Sequence, residues 1–278
     1  SSDLEGVELT MRWSDTTPRK FTYEVGFNMT YFNSLWKVKA DEALSDLMNP
    51  YKRQTHQADY YGLGYIDTGL YQNKEDILNS PRRLGSTQTK LGDIGYTDVN
   101  GDGKIDGEDQ VRIGKPTMPH FTYAFDFSLG YEGFTLSGLL YGTGERYMTF
   151  GNRYQSGEGK YLYYENQLNY WRPDNTGADF PRISISSGVN GNNNKAGSTF
   201  WMRNASYLRL KDLQLSYDFK YKYLKKCDWL QTCRVNLSGS NLFTISGVSK
   251  FFDPETSSTS GDGYPVQRVY SIGVTIGF

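Results

Sequence analysis

From Phe21 the chain alternates: Phe21, Tyr23, Val25, Phe27, Met29 and Tyr31 are separated by Thr22, Glu24, Gly26, Asn28 and Thr30. A period of two held over eleven residues predicts a strand longer than the usual soluble one. The pattern recurs. Val7, Leu9, Met11 and Trp13 alternate with polar neighbours, and so do Phe121, Tyr123, Phe125, Phe127, Leu129 and Tyr131. Phe134, Leu136, Gly138 and Leu140 continue it after a tight Glu132-Gly133 turn. Leu213, Leu215, Tyr217 and Phe219 form another run, Val235, Leu237, Gly239, Asn241, Phe243 and Ile245 a weaker one, and the chain ends on Tyr270, Ile272, Val274, Ile276 and Phe278. These runs predict seven strands near residues 6–14, 20–32, 119–131, 134–145, 206–219, 231–245 and 266–278. The parity of apolar residues switches between Leu210 and Leu213, which predicts a β-bulge or an exit from the apolar band at Lys211-Asp212.

Two architectures alternate in this way: an antiparallel sandwich with one face on a core, and a transmembrane β-barrel with apolar side chains toward lipid. Three features favour the barrel. Glu24, Asn28 and Asp126 occupy the polar face, where a wet lumen accommodates them. Aromatics gather at strand ends (Trp13, Phe21, Tyr31, Phe121, Tyr131, Phe134, Phe219, Tyr270 and Phe278), as interfacial girdles require. Short connections alternate with long loops at about 33–118, 146–205 and 246–265. The expected fold is therefore all-β, the strands of an antiparallel transmembrane barrel with long extracellular loops. Short turns belong in the periplasm, so strand seven runs down and Phe278 ends there. Bacterial single-chain barrels have even strand counts, and seven strands alone would leave two open edges in lipid, so residues 1–278 are expected to be the C-terminal part of a larger barrel.

Composition sharpens this picture. Only 37% of the 278 residues are apolar, yet 15% are aromatic, with 23 Tyr, 15 Phe, 5 Trp and 30 Gly. An aliphatic-poor, aromatic-rich chain is a poor source for one soluble core. Mean hydropathy is −0.64, and no apolar run approaches the ~18 residues of a membrane-spanning helix. Residues 1–9 have neither the basic start nor the apolar stretch of a signal peptide, which predicts a mature chain or a piece of something larger. With 30 Lys+Arg against 31 Asp+Glu, the net charge of −1 gives no electrostatic case for nucleic acid.

One segment carries definite chemistry. Asp98, Asn100, Asp102, Asp106 and Asp109 place side-chain oxygens at positions 1, 3, 5, 9 and 12 of a loop, and Lys104 offers its carbonyl at position 7. Gly103 stands where such a loop turns sharply, and Ile105 can anchor it by packing. Hard Ca2+ takes six to eight oxygens, and this spacing wraps them around one point. Residues 98–109 are thus expected to hold a structural calcium ion; the competing reading is a set of tight turns with solvated carboxylates.

Together these residues resemble the SusC/RagA family of TonB-dependent outer-membrane transporters. The resemblance rests on Gly92 to Asp106, Ile113-Gly114-Lys115-Pro116 leading into Phe121, Ser206 to Leu213, Asn241 to Thr244, Asp253-Pro254-Glu255 and the terminal run from Tyr270. It implies a plugged barrel of about 22 strands, of which this chain supplies seven, with Phe278 as the barrel-assembly C-terminus. It also implies a Gram-negative outer-membrane location, a SusD-like surface lipoprotein as lid, and TonB acting through an N-terminal portion absent here. The implied cargo is oligosaccharide or peptide, bound without covalent chemistry, so no enzyme activity is expected. The alternative function is a secreted, calcium-stabilised β-sandwich that binds carbohydrate. A phospholipase-type outer-membrane enzyme finds little support around His120.

Other candidates are weaker. Cys227 and Cys233 could close a small disulfide loop in an oxidising compartment or remain thiols, since spacing alone does not fix the Cα separation. His56 and His120 neighbour no convincing nucleophile. Lys220, Lys222, Lys225 and Lys226 meet anionic lipid or simply keep a turn solvated. Tyr60, Tyr61, Tyr65, Tyr161, Tyr163, Tyr164, Tyr170 and Trp171 lie in the long loops, where packing or lid contact competes with sugar stacking.

Overall fold

The computed structural model describes residues 2–58, 62–83, 85, 88–114, 118–155, 164–183, 189–256, 259, 263–264 and 266–278. Seven long strands form: β1 (Ser2–Thr16), β2 (Thr22–Trp36), β3 (Phe121–Tyr131), β4 (Phe134–Gly144), β5 (Tyr207–Asp218), β6 (Thr232–Ser246) and β7 (Val269–Gly277). Each falls where the alternation predicts it. β1 and β2 run further than expected, because Leu4 to Glu8 pair with Thr30 to Ser34. The strands pair antiparallel in sequence order into one continuous sheet, extended beside β2 by Gln57–Ala58. Among the described residues every other sheet is a two-stranded ladder. A sandwich needs two large facing sheets, and this architecture does not supply them.

Register turns the alternation into two surfaces. Met11, Phe27, Phe125, Leu140, Leu210 and Phe243 are successive cross-strand partners, so they form one apolar row across six strands. Tyr23, Leu129, Leu136, Leu215, Leu237 and Ile272 form a second row from β2 to β7. The opposite face is polar. Arg12 bridges Glu24 at 3.2 Å and Asp126 at 3.8 Å, and Ser240 donates to Asp212 at 3.3 Å. The expected bulge is present. Lys211 is an extra residue against β4, and β6 carries its own extra residue near Asn241, whose φ is +55°. Together they keep Leu208 and Leu210 on the same face as Leu213 and Leu215 despite the change of parity.

All three short connections lie at one end of the sheet. Glu132 and Gly133 have φ of +46° and +88° between the paired Tyr131 and Phe134, a two-residue hairpin with both central residues left-handed. Aromatics crowd this end: Phe134 lies 4.4 Å from Tyr217, Tyr217 4.9 Å from Phe219, and Trp229 stacks on Phe278 at 5.7 Å. Among the described residues no helix is long and apolar enough to cross a membrane.

The long connections meet at the other end and form the buried core. Tyr65, Ile94, Tyr96 and Ile105 come from the first, Met148, Phe150, Tyr154, Phe180, Trp201 and Ala205 from the second, and Val248 and Phe252 from the third. Phe150 is the hub, with ring centres of Tyr154, Phe180, Trp201, Phe251 and Phe252 within 6.2 Å. The first loop has more regular structure than its composition promises. Gly62–Gly64 pairs with Val111–Ile113, Asp67–Leu70 with Ile94–Tyr96, and Arg82–Arg83 with Lys104–Ile105.

Candidate functional site

Alternate strand positions put the polar side chains on one face of the sheet, and the loop cluster packs at one end of it. Two polar networks fasten these parts together. In the first, Arg209 on β5 is 1% exposed and bonded through all three guanidinium nitrogens. Nε donates to Thr244 at 2.8 Å, Nη1 to Glu255 at 2.8 Å and Nη2 to Asp253 at 2.5 Å. Tyr207 donates to Glu255 at 2.6 Å, and the Lys211 ammonium lies 2.7 Å from the same carboxylate. Burial pushes the Glu255 carboxyl up, but the bonds from Lys211 and Tyr207 and the Arg209 charge outweigh it and hold the group below the usual carboxylate range. This lock ties the third long loop to the inner side of β5. Such a cluster adds little net stability over an apolar substitute, yet removing one partner strands the remaining charges.

The second network centres on Asp93, which is fully buried. It receives Arg182 Nε at 2.6 Å, Asn194 Nδ2 at 3.0 Å and the Lys90 amide at 2.9 Å. Asn194 accepts from the Ile94 amide at 2.9 Å, and its carbonyl accepts Trp201 Nε1 at 2.8 Å. Tyr96 donates to the Asn193 carbonyl at 2.6 Å, and burial pushes its phenol far up. First and second loops are thereby joined through fully bonded polar groups.

The calcium-like segment is a compact turn series. Asp98 accepts from the Gly101 amide at 2.6 Å and the Gly103 amide at 2.7 Å, and the Gly103 bond leads in holding its carboxyl below the ordinary value. Asn100 accepts from Asp102, Asp102 from Lys104, and Asp106 from Glu108. Gly103 has φ of +83°, as a sharp turn at position 6 needs, and Ile105 is 1% exposed in the loop core. Asp109 is fully buried, with one carboxylate oxygen on the Val99 amide and the other on the Asp106 amide, both at 2.8 Å. Lys104 pairs with Arg82 in the short parallel ladder. Among the described residues no three His, Cys, Asp or Glu side chains converge into a metal-holding group. The donor set is all oxygen, as Ca2+ requires, and Asp98, Asn100 and Asp102 are at the surface with acceptor capacity left.

The loop aromatics divide clearly. Tyr65 is 6% exposed in the core, Trp171 is 8% exposed and donates to Gln72 at 2.9 Å, and Tyr164 and Tyr170 pack against the same cluster. These four serve packing. Tyr60, Tyr61, Tyr161 and Tyr163, like Lys115-Pro116, lie outside the described residues. Cys227 and Cys233 are both half-buried and unbonded in this structure. His120 is buried 5.3 Å from the Phe32 ring. Lys220 turns inward and donates to the Cys227 and Leu230 carbonyls, which leaves Lys222, Lys225 and Lys226 at the surface.

The charged lock was absent from the sequence-derived site residues. Its signal was an Arg and a Lys on one strand, spaced two apart, with a downstream Asp-Pro-Glu. Nothing in that spacing says which Arg meets which carboxylate at a separation of 44 positions or more.

No family model matches the chain. TonB-dependent receptor P3 of Formosa agariphila is 26% identical over 296 residues, covering 99% of this chain and 28% of the receptor. TonB-dependent receptor P26 of the same organism is 26% identical over 228 residues, covering 76% of this chain and 22% of the receptor. Among solved structures, the RagAB peptide transporter superposes over the whole chain with a TM-score of 0.71 at 19% identity, the chain covering 29% of it. The RagAB peptide importer in its open-open state gives 0.66 at 21% identity. The chain thus spans between a fifth and a third of the length of these relatives. By sequence and by fold, this chain is similar over its full length to part of a SusC/RagA-like TonB-dependent transporter.

Proposed function

We propose that this chain forms part of the barrel wall and outer vestibule of a TonB-dependent outer-membrane importer of peptides or glycans. The observation that carries the reading is the division of apolar surface. The sheet bares continuous apolar rows on one face and a polar face on the other, while the buried apolar clusters are built from the long loops at one end. Water penalises such rows and lipid favours them. Short turns and the C-terminus lie on the periplasmic side, the loop cluster lies outside, and outer-membrane lipid covers the apolar face. A SusD-like lipoprotein closes over the loops, and TonB pulls on segments outside this chain. Transport needs binding and release, with no bond made or broken.

Residues 98–109 hold a structural Ca2+ in this reading, through Asp98, Asn100, Asp102, Asp106, Asp109 and the Lys104 carbonyl. The ion would neutralise the clustered carboxylates and stiffen the first loop. RagAB is named a peptide transporter, which favours peptide over glycan as cargo. The test is uptake of labelled oligopeptides and oligosaccharides by cells with and without the full-length gene, and with and without TonB. TonB-dependent uptake of one class supports the reading; unchanged uptake of both defeats it.

A further inference from the structure

The turn between β5 and β6, residues 219–231, carries lysines that neither the wall nor the loop cluster uses. Register decides which face of the sheet this turn serves. Phe134 pairs with Tyr217, Tyr217 with Val235 and Val235 with Val274, so Tyr217 belongs to the apolar face. The Tyr223 ring centre lies 6.2 Å from that of Tyr217. At the other end of the turn Trp229 stacks on Phe278, which continues the apolar parity of Ile272, Val274 and Ile276 on β7. Tyr223 is 68% exposed and Trp229 66%. Two largely uncovered aromatic side chains thus stand on the apolar-face side of the turn, as amphipathic rings do at a headgroup boundary.

Lysines fill the interval between these rings. Lys222 Nζ lies 5.9 Å from the Tyr223 ring centre, and Lys225 and Lys226 follow before Trp229. All three are exposed, and none makes an ion pair among the described residues. Lys220 differs: its ammonium donates back to the Cys227 and Leu230 carbonyls and its amide to the Asp218 carboxylate, so it holds the turn together. The acids nearby are few. Asp218 faces Arg234 across the β5–β6 ladder, Asp228 is on the turn itself, and Glu132 is on the neighbouring hairpin, whose Gly133 lies against Tyr221. Three unpaired ammonium groups against the Asp228 and Glu132 carboxylates leave one uncompensated positive charge. A turn kept solvated by its lysines has no use for the exposed rings, and a plain aromatic girdle has no use for the lysines. The combination fits a surface that is apolar below and anionic above.

We propose that this turn binds the headgroup of an anionic diacyl phospholipid, with Lys222, Lys225 and Lys226 on the phosphate and Tyr223 and Trp229 at the level of the glycerol backbone. Charge selects the lipid, because a zwitterionic headgroup has no net charge to answer the surplus. Continuity places its chains: the rings run directly into the apolar face at Tyr217 and Val274. The proposal rests on the reading of that face as lipid-covered and adds a headgroup preference to it.

The test uses the full-length transporter in phosphatidylcholine vesicles that contain a trace of photoreactive phosphatidylglycerol or of phosphatidylcholine with the same photoreactive group. Cross-linked peptides are mapped, and the ratio of the two yields is taken for residues 219–231. The expected ratio is about fivefold in favour of phosphatidylglycerol at low salt, the worth of one uncompensated lysine beside an anionic headgroup. High salt shrinks it. Changing Lys222, Lys225 and Lys226 together to Gln brings the ratio to one or below, whereas Asp228→Asn raises it about a further fivefold. Heat-modifiable mobility on gels checks that both variants are folded barrels. A ratio of one in the unaltered protein, or an unchanged ratio in the folded triple variant, overturns the lipid site. An error in the reading of the wall looks different: neither probe then labels the apolar face at Tyr217, Val235 or Val274.

Discussion

Ile272 on β7 is 75% exposed, while Trp201 in the loop cluster is fully enclosed. Both are large apolar side chains, and each stands for its region. On β7, Tyr270, Val274 and Ile276 are exposed beside Ile272, and on β1 so are Val7, Leu9, Met11 and Trp13. In the loops, Phe150, Trp201 and Val248 pack inside a contiguous core, with Asp93 buried on bonded partners. The loop cluster obeys the solvent rule of water, and the wall obeys that of lipid. The wall is therefore held by its backbone ladder and by its surroundings, and the loops by close packing. Substitutions in the two regions should fail in different ways.

The largest effects are expected in the loops. Trp201→Ala removes the most enclosed large side chain and the hydrogen bond to the Asn194 carbonyl, which should cost about 3–5 kcal/mol. Limited proteolysis of the full-length protein should then cut the long loops rapidly while the barrel stays resistant. Simultaneous loss of barrel resistance would show that the two regions unfold as one. Arg209→Met belongs to the same class, since it leaves Asp253 and Glu255 without their shared cation, at about 3–5 kcal/mol. A triple change that also neutralises Asp253 and Glu255 should recover most of that loss, because the penalty lies in unpaired charge. A triple variant as unstable as the single one would assign the cost to packing around the guanidinium.

A charge on the apolar face comes next. Phe125 lies centrally in the row from Met11 to Phe243, and Phe125→Arg should cost about 2–4 kcal/mol in a bilayer. Phe125→Leu should be close to neutral. Folding yields into vesicles, with urea titration of the inserted protein, read both. Equal tolerance of Arg and Leu would break the comparison, because the row would then face water.

How far sequence carried the reading follows from the same contrast. The seven strands were legible because a long sheet with one face in lipid writes its solvent environment residue by residue, at a period of two. Even the Lys211 bulge showed, as a parity switch from Leu210 to Leu213. Where the wall is concerned, local pattern and tertiary environment are nearly the same information. The loop core was not legible. Tyr65, Phe150, Trp201 and Phe252 are far apart in the chain and follow no period, so nothing local says that they meet. The Arg209 lock was hidden for the same reason, and Tyr65 and Trp171 read equally well as sugar platforms or as packing. The calcium-like motif lies between these cases: its spacing is local, so the turns at Gly101 and Gly103 and the buried Ile105 match expectation. Asp109 differs, because its fully buried carboxylate staples the Val99 and Asp106 amides.

The two smaller effects separate the charges that fasten the loops from those that decorate them. Glu255 titrates below its ordinary range when folded, so it stabilises the lock above its unfolded pKa, and that contribution fades as pH falls through the depressed folded value. Protease resistance of the third loop should therefore hold at neutral pH and drop in acid, and Glu255→Gln should flatten the acid limb. Calcium should act on the first loop alone. At a hundredfold excess over its dissociation constant, one bound ion adds about 2.7 kcal/mol to whatever unit it closes. Chelation should thus speed cleavage near residues 98–109 without touching the Arg209 lock or the wall. Asp102→Asn removes a charge but keeps an oxygen at the surface, and should reduce the calcium response while leaving the chelated protein unchanged. If chelation leaves cleavage of the first loop as slow as before, the Asx turns and the Asp109 staple are sufficient by themselves, and the segment is a self-supporting turn series.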